Sequence, residues 1–420
     1  MLEFFGVLFG LLFLILAWKR FDWAVFLFCA GLLTYLIRLN YFGLPTTVLE
    51  IMWGAMVLVW AIKFARRDWV WIRNFFVNNK IVGLLAVLFL VVSAGEIFVG
   101  DLWFKSFGLW RAYFLEPVIL FFVLVGRSRE LNWQFPVFGL IASGALISVL
   151  AVIQKIVPSL QAPSLWDDNT FGRVTSFFTT ANAIGLFLVP LIPLFAWLLV
   201  ELWRAKKKVL FVVGLVVLVL CLVALFFSFS QGAWVALLAA FLVFIFFFGY
   251  RKTAVLLVLC GALFTFFTPN IREAVLFADR AGQNRLTLWT DSMKYLTANP
   301  KNFVLGTGVR QFFRTIEKHK YDPKVMERLI YPHNVFLNFW TETGLLGVGS
   351  FVGVMAVLAT WILRCKNKML RATLAAVWAG FLVHGLVDVP YFKNDLAFLF
   401  WALFFVSWYF LRSEYFVTKK

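Results

Sequence analysis

The sequence predicts an all-α polytopic membrane protein with about 12–13 transmembrane helices. Three observations predict it. Of the 420 residues, 63% are hydrophobic and 14% charged, against about 45–50% and about 25% in a soluble domain. Apolar stretches recur along the whole chain at lengths near the roughly 20 residues a helix needs to cross a bilayer. The stretches are continuous, whereas a transmembrane β-barrel shows short segments of alternating polarity. Composition excludes a disordered chain and a soluble nucleic-acid binder. The net charge of +18 therefore belongs to basic cytoplasmic loops.

In chain order the apolar segments are 2–17, 22–37, 45–62, 81–99, 109–126, 134–157, 178–200, 209–227, 231–249, 253–268, 334–363, 372–389 and 395–411. They divide into an N-terminal helix bundle (1–268), a long loop (269–333) and C-terminal helices (334–420). The first segment does not read as a signal peptide, because it holds Glu3, lacks a basic n-region and runs into Lys19–Arg20. Cys29, Cys221, Cys260 and Cys365 lie in apolar runs or at their ends without metal spacing, so they receive no redox or metal role.

Loop charge predicts the orientation. Alternate loops beginning at Lys19–Arg20 collect 22 of the 39 basic residues, and the other short loops and their flanks hold Arg38, Lys105, Arg111, Lys155, Arg173 and Lys393. The remaining 11 lie in the long loop, and long loops say little about topology. The basic set is expected in the cytoplasm, which puts the N-terminus and the long loop outside.

Ionisable groups inside spans are costly and mark function. With this topology Glu50, Glu96, Arg111, Glu116, Asn182, Gln231, His333, Asn334, Asn338, Glu342, His384 and Asp388 all fall in the outer half of the membrane. Interhelical pairing is the alternative role for Glu50, Glu96, Asn182 and Asn338. Depth confined to one side has no packing explanation, so the set predicts a polar cavity open outward and roofed by the long loop. Arg111, Glu116, Asn182, Gln231, Asn334, Glu342, His384 and Asp388 are its candidate substrate-binding residues. A flippase or other transporter is the competing class, but it should show charge at mid-depth and internal repeats.

Within the long loop, residues 285–297 read as an amphipathic helix with Leu286, Trp289, Met293 and Leu296 on one stripe, stopped by Pro300. Gly306 and Gly308 read as turn residues, since no lysine follows them as a P-loop requires. Arg272, Arg280, Arg310 and Arg314 read as a solvated or headgroup-facing surface, and His319 receives no role. At YPHNVFLNFWTETGLLG the chain re-enters the membrane, with His333 at a helix start. The positive end of a helix favours neutral imidazole, which suits a base for a hydroxyl proton.

Six segments in order, YLIRLNYFGLPTTVLE, LWRAYFLEPVILFF, GRVTSFFTTANAIGLF, NRLTLWTDSM, YPHNVFLNFWTETGLLG and HGLVDVPYF, resemble the O-antigen ligase/polymerase superfamily of bacterial membrane glycosyltransferases. The resemblance covers most of the chain. It implies a GT-C-type helical fold in the bacterial inner membrane and a glycan donor on undecaprenyl pyrophosphate at the periplasmic face. The acceptor would be a lipid, protein or glycan, and a polymerase of the same family would extend the glycan itself. Arg173 and Arg285 would bind the pyrophosphate and His333 would be the catalytic histidine. At FSFSQGAW the chain departs from the many members with Ser-Arg, having Ser230–Gln231 instead.

The chemistry is consistent from below. Outside the cytoplasm there is no nucleotide-sugar pool, so a glycosyl donor arrives on lipid. Its pyrophosphate leaving group can be clamped by two arginines. The adjacent pair Asp167–Asp168 lacks a third ligand, so neither metal nor cofactor is expected. Inversion by one displacement then needs positioning, a cation clamp and help with the acceptor proton.

Overall fold

A computed structural model describes residues 2–160, 172–317 and 330–416. Asp167–Asp168 and His319 lie outside the described residues. The N-terminal part runs through α1 (Leu2–Lys19), α2 (Phe21–Ala30), α3 (Val48–Lys63), α4 (Ala65–Asn78), α5 (Lys80–Gly95), α6 (Trp103–Trp110), α7 (Glu116–Arg127) and α8 (Gln134–Ile156). It continues through α9 (Asn182–Arg204), α10 (Lys208–Phe227), α11 (Gln231–Phe248) and α12 (Arg251–Phe267). The long loop holds α13 (Pro269–Val275), α14 (Arg280–Thr297) and α15 (Pro300–Leu305). The chain closes with α16 (Val335–Arg364), α17 (Lys368–Gly385) and α18 (Asn394–Phe416).

The protein is an all-α multi-pass membrane protein. Each of the thirteen apolar segments forms a helix, but they do not all span in the same way. Among the described residues nine helices are long and apolar enough to cross a membrane, or up to eleven if two bent pairs each count as one span. This is fewer than the 12–13 expected. The segment expected at 22–37 ends as a helix at Ala30, because the chain turns through Leu32–Leu36 into a hairpin, β1 (Arg38–Tyr41) against β2 (Leu44–Thr47). Phe42 and Gly43 make its tight turn with φ of 54° and 85°, the positive pair that matches strand twist. The α3 segment breaks at Phe64, and the basic stretch after it, expected as a loop, is the helix α4, bent by 99° from α3.

The central spans are α9 and α18, buried along most of their length. α17 packs against α9, α11 and α16, and α16 packs on α5. The basic loops assigned to one side converge at one end of the bundle. Lys63 Nζ donates to Trp18 O at 2.7 Å and Arg412 Nη2 to Ser128 O at 2.9 Å. The long loop lies at the other end, called here the loop face.

The long loop is latched into a break in α16. Gly344 has φ 66° and ψ −175° inside that helix, and Gly306, at φ 71°, lies against the Trp340 and Thr341 carbonyls. A Cβ at Gly344 would collide with the Val304 carbonyl, so these positions require glycine. The carbonyl of Thr341 is taken by Thr307 through both N (2.6 Å) and Oγ1 (2.9 Å). The expected helix at 285–297 begins earlier, at Arg280, and Pro300 starts α15 rather than only stopping its predecessor. Its buried face is Leu288, Ser292 and Leu296, because Phe312 and Ile316 return over that side. Leu286 and Met293 of the expected stripe remain exposed.

Candidate active site

At the loop face a cavity of about 210 Å³ is lined by Arg173, Asn182, Ser230, Gln231, Asp279, Arg285, His384 and Asp388, with Phe229, Gly232, Ala281 and Val387. Three helices present their first turns to it. Asn182 opens α9, Gln231 opens α11, and Asp279 is the N-cap of α14. A helix N-terminus carries unpaired N–H groups and a partial positive charge. The N-terminus of α11 is the most open. Ser230 makes no side-chain cap, and the first backbone bond comes from Trp234 N to Ser230 O at 3.0 Å. Asp279 does cap α14, accepting from Gly282 N at 3.0 Å.

The two arginines reach the cavity from distant parts of the chain, and each is anchored by Nε to a backbone carbonyl. Arg173 Nε donates to Ser228 O at 3.0 Å, and its Nη2 to Asn182 Oδ1 at 3.2 Å. Arg285 Nε donates to Val387 O at 3.0 Å. Anchoring through Nε fixes the guanidinium plane and turns the terminal nitrogens toward a ligand. Arg285 meets no carboxylate among the described residues, and both guanidiniums line the cavity.

His333 stands beside this cavity, bound to its wall. His333 Nδ1 lies 3.2 Å from Asp388 Oδ1. The residue precedes α16 with φ 50°, so Asp388 rather than the helix's first turn fixes the ring. With Nδ1–H donated to the carboxylate, Nε2 is the basic nitrogen, and it has no partner among the described residues. Asp388 follows the end of α17. Its Oδ1 also accepts from Val389 N–H at 2.8 Å. The Tyr331 ring packs edge-on to His333 at 5.1 Å. Trp289 Nε1 donates to Pro332 O at 3.0 Å, tying α14 to the turn that carries the histidine.

The other sequence candidates sit elsewhere or act on the backbone. Asn334 is the N-cap of α16, accepting from Phe336 N and Leu337 N, and it donates to Leu386 O at 3.1 Å. Arg111 and Glu116 flank a π-helical turn and belong to a separate ion cluster. Arg111 lies 2.8 Å from Glu50 Oε2 and 2.9 Å from Glu116 Oε1, and Glu50 also accepts from Thr46 at 2.8 Å. Glu342 is buried and accepts from Arg310 N at 3.2 Å, where it secures the 306–311 turn. His384 is buried at the cavity wall, and a Cβ on Gly185 would stand 2.9 Å from its Cε1.

Sequence reasoning did not place Asp279, Gly232 or Ser230 in the site. Asp279 carried a readable signal, an Asp immediately before a helical run. The role of Asp388 as partner of His333, 55 residues away, carried none.

Residues 216–352 match the family model described as O-antigen ligase. No curated protein matches the chain. The matched segment contains Gln231, Arg285 and His333, while Arg173, Asn182, His384 and Asp388 lie outside it. Over that segment the chain is similar to the O-antigen ligase family.

Proposed function

From the O-antigen ligase domain carried by residues 216–352, we propose that this protein transfers a glycan from undecaprenyl pyrophosphate to an acceptor hydroxyl or amide at the extracytoplasmic face of a bacterial inner membrane. The observation that carries the proposal is the cavity into which Arg173, Arg285 and three helix N-termini converge. Such a site favours a compact polyanion. At Gln231, where the resembled family often has arginine, the N-terminus of α11 offers backbone N–H donors instead.

In the reaction the acceptor oxygen attacks the anomeric carbon from the side opposite the pyrophosphate. The bond from that carbon to the phosphate oxygen breaks, and the configuration inverts. His333 Nε2 takes the acceptor proton, and Asp388 holds the imidazole in the required tautomer and stabilises it once protonated. Arg173 and Arg285 take up the charge that develops on the leaving pyrophosphate. No divalent metal is required.

The test is turnover by purified protein in defined lipid, with undecaprenyl-pyrophosphate-linked glycan and a panel of lipid, protein and glycan acceptors. Expected are a glycosylated acceptor, inverted at the new linkage, and free undecaprenyl pyrophosphate. Movement of intact donor across the bilayer without cleavage would replace this reading with a transporter.

A further inference from the structure

At the opposite end of the bundle α4 presents a face that no part of the described protein covers. It joins the ends of α3 and α5 and is bent by 99° from α3. Spanning helices lie on average about 20° from the bilayer normal, so a helix at this angle lies near the membrane plane. Asp68, Ile72 and Phe75 turn inward, toward α7. Arg66, Trp69, Val70, Arg73 and Val77, spaced to share one side of the helix, point outward, with Trp69, Val70 and Val77 at 61, 54 and 55% exposure. Asp68 is the helix's one acidic residue and it is buried, so the outward face is purely basic in charge. Neither Arg66 nor Arg73 meets an acidic side chain among the described residues.

The helix is fixed in this attitude. Asp68 accepts from Trp60 Nε1 at 3.2 Å and pairs with Arg127 at 3.5 Å. The Arg127 guanidinium lies 4.0 Å over the Phe64 ring, at the bend itself. Arg67 and Arg127 share Glu130, at 2.7 and 2.8 Å. At the far end Gly83 lets α5 pass against Phe76, with which any Cβ would collide.

We propose that this face of α4 is a docking surface for anionic phospholipid in the adjacent leaflet. Arg66 and Arg73 take headgroup phosphates, and Trp69, Val70 and Val77 enter the headgroup–acyl boundary. Tryptophan prefers that boundary, and basic residues beside apolar ones on an in-plane helix are attracted to anionic lipid.

The test uses the full chain in nanodiscs of phosphatidylglycerol with phosphatidylethanolamine, and in phosphatidylcholine alone. Phosphatidylglycerol binding is read by native mass spectrometry, and nitroxides at Val70 and Val77, in a Cys260→Ser background, report depth. The double variant R66Q/R73Q, which removes no contact within the protein, should weaken phosphatidylglycerol binding on the order of 20-fold, with little change for phosphatidylcholine. Both nitroxides should lie at the headgroup–acyl boundary. Equal phosphatidylglycerol binding by the variant, or nitroxides in open water, would overturn the proposal. Fold is checked by unchanged thermal unfolding of R66Q/R73Q.

Discussion

Two arginine-centred groups lie at the loop face, and they anchor their arginines on different partners. Arg111 is held between Glu50 and Glu116 at 2.8 and 2.9 Å, so the cluster is already compensated by carboxylates. Arg173 and Arg285 are instead anchored through Nε to backbone carbonyls, and Arg285 meets no carboxylate among the described residues. Of the acidic groups at their cavity, Asp279 caps a helix and Asp388 is bonded to His333. Residue type alone does not separate a structural arginine from a ligand-binding one. The difference lies in which partners anchor it.

The largest expected effect breaks the comparison on the cavity side. His333→Ala should leave the protein folded and inserted but lower turnover about 10²–10⁴-fold, the range for a positioned general base. Asp388→Asn should lower kcat more than it changes the donor KM, since it misorients the histidine without removing a donor contact. Near-wild-type turnover in His333→Ala would remove the residue from the mechanism.

Next comes the compensated cluster. Arg111→Gln strips the cation from Glu50 and Glu116, both buried, and should destabilise the fold by about 3–5 kcal/mol. Donor affinity of the surviving folded protein should not change. Thermal unfolding and donor titration of the same preparation separate the two, and lost donor affinity at unchanged stability would move Arg111 into the binding site.

The clamp itself comes third. Arg173→Ala and Arg285→Ala should each cost about 2–4 kcal/mol of transition-state stabilisation, and the double variant less than their sum. Lysine at either position should also impair turnover, because it cannot hold the carbonyl anchor and present a planar fork together. Full activity of both lysine variants, or small and additive effects, would reduce the arginines to lipid-headgroup contacts.

Much of this was legible in the sequence, for reasons that particular residues show. Apolar runs predict helices wherever length and continuity suffice, and every predicted run contains one, though 22–37 is helical only to Ala30 before its 3-10 turn. The hairpin at 38–47 was hidden because the short loop between the runs 22–37 and 45–62 is too brief for an alternating strand pattern to show. α4 was hidden because its arginines mask the inward spacing of Asp68, Ile72 and Phe75. The polar set at one end of the spans was readable, but its division into a cavity, an ion cluster and a loop latch was not. That division depends on which helices adjoin, as when Arg285 meets Val387 from 102 residues away.

The smallest expected effect is the most direct measure of how the cavity differs from the compensated cluster. A pyrophosphate carries more than one negative charge, and a site must supply matching positive charge or bring in a divalent cation. Arg173 and Arg285 line the cavity, and the N-termini of α9 and α11 each add the equivalent of about half a charge, that of α14 being offset by its Asp279 cap. Of the two carboxylates at the cavity, Asp388 is hydrogen-bonded to His333 and Asp279 to Gly282 N. On the proposed mechanism these donors together hold the leaving group without a divalent cation. Turnover in EDTA should therefore equal turnover in magnesium. In the Arg173→Ala background, where one cation is gone, added magnesium should restore a measurable part of the loss. Wild-type turnover that fails in EDTA and returns with magnesium or manganese would show that the protein's own positive charge is insufficient.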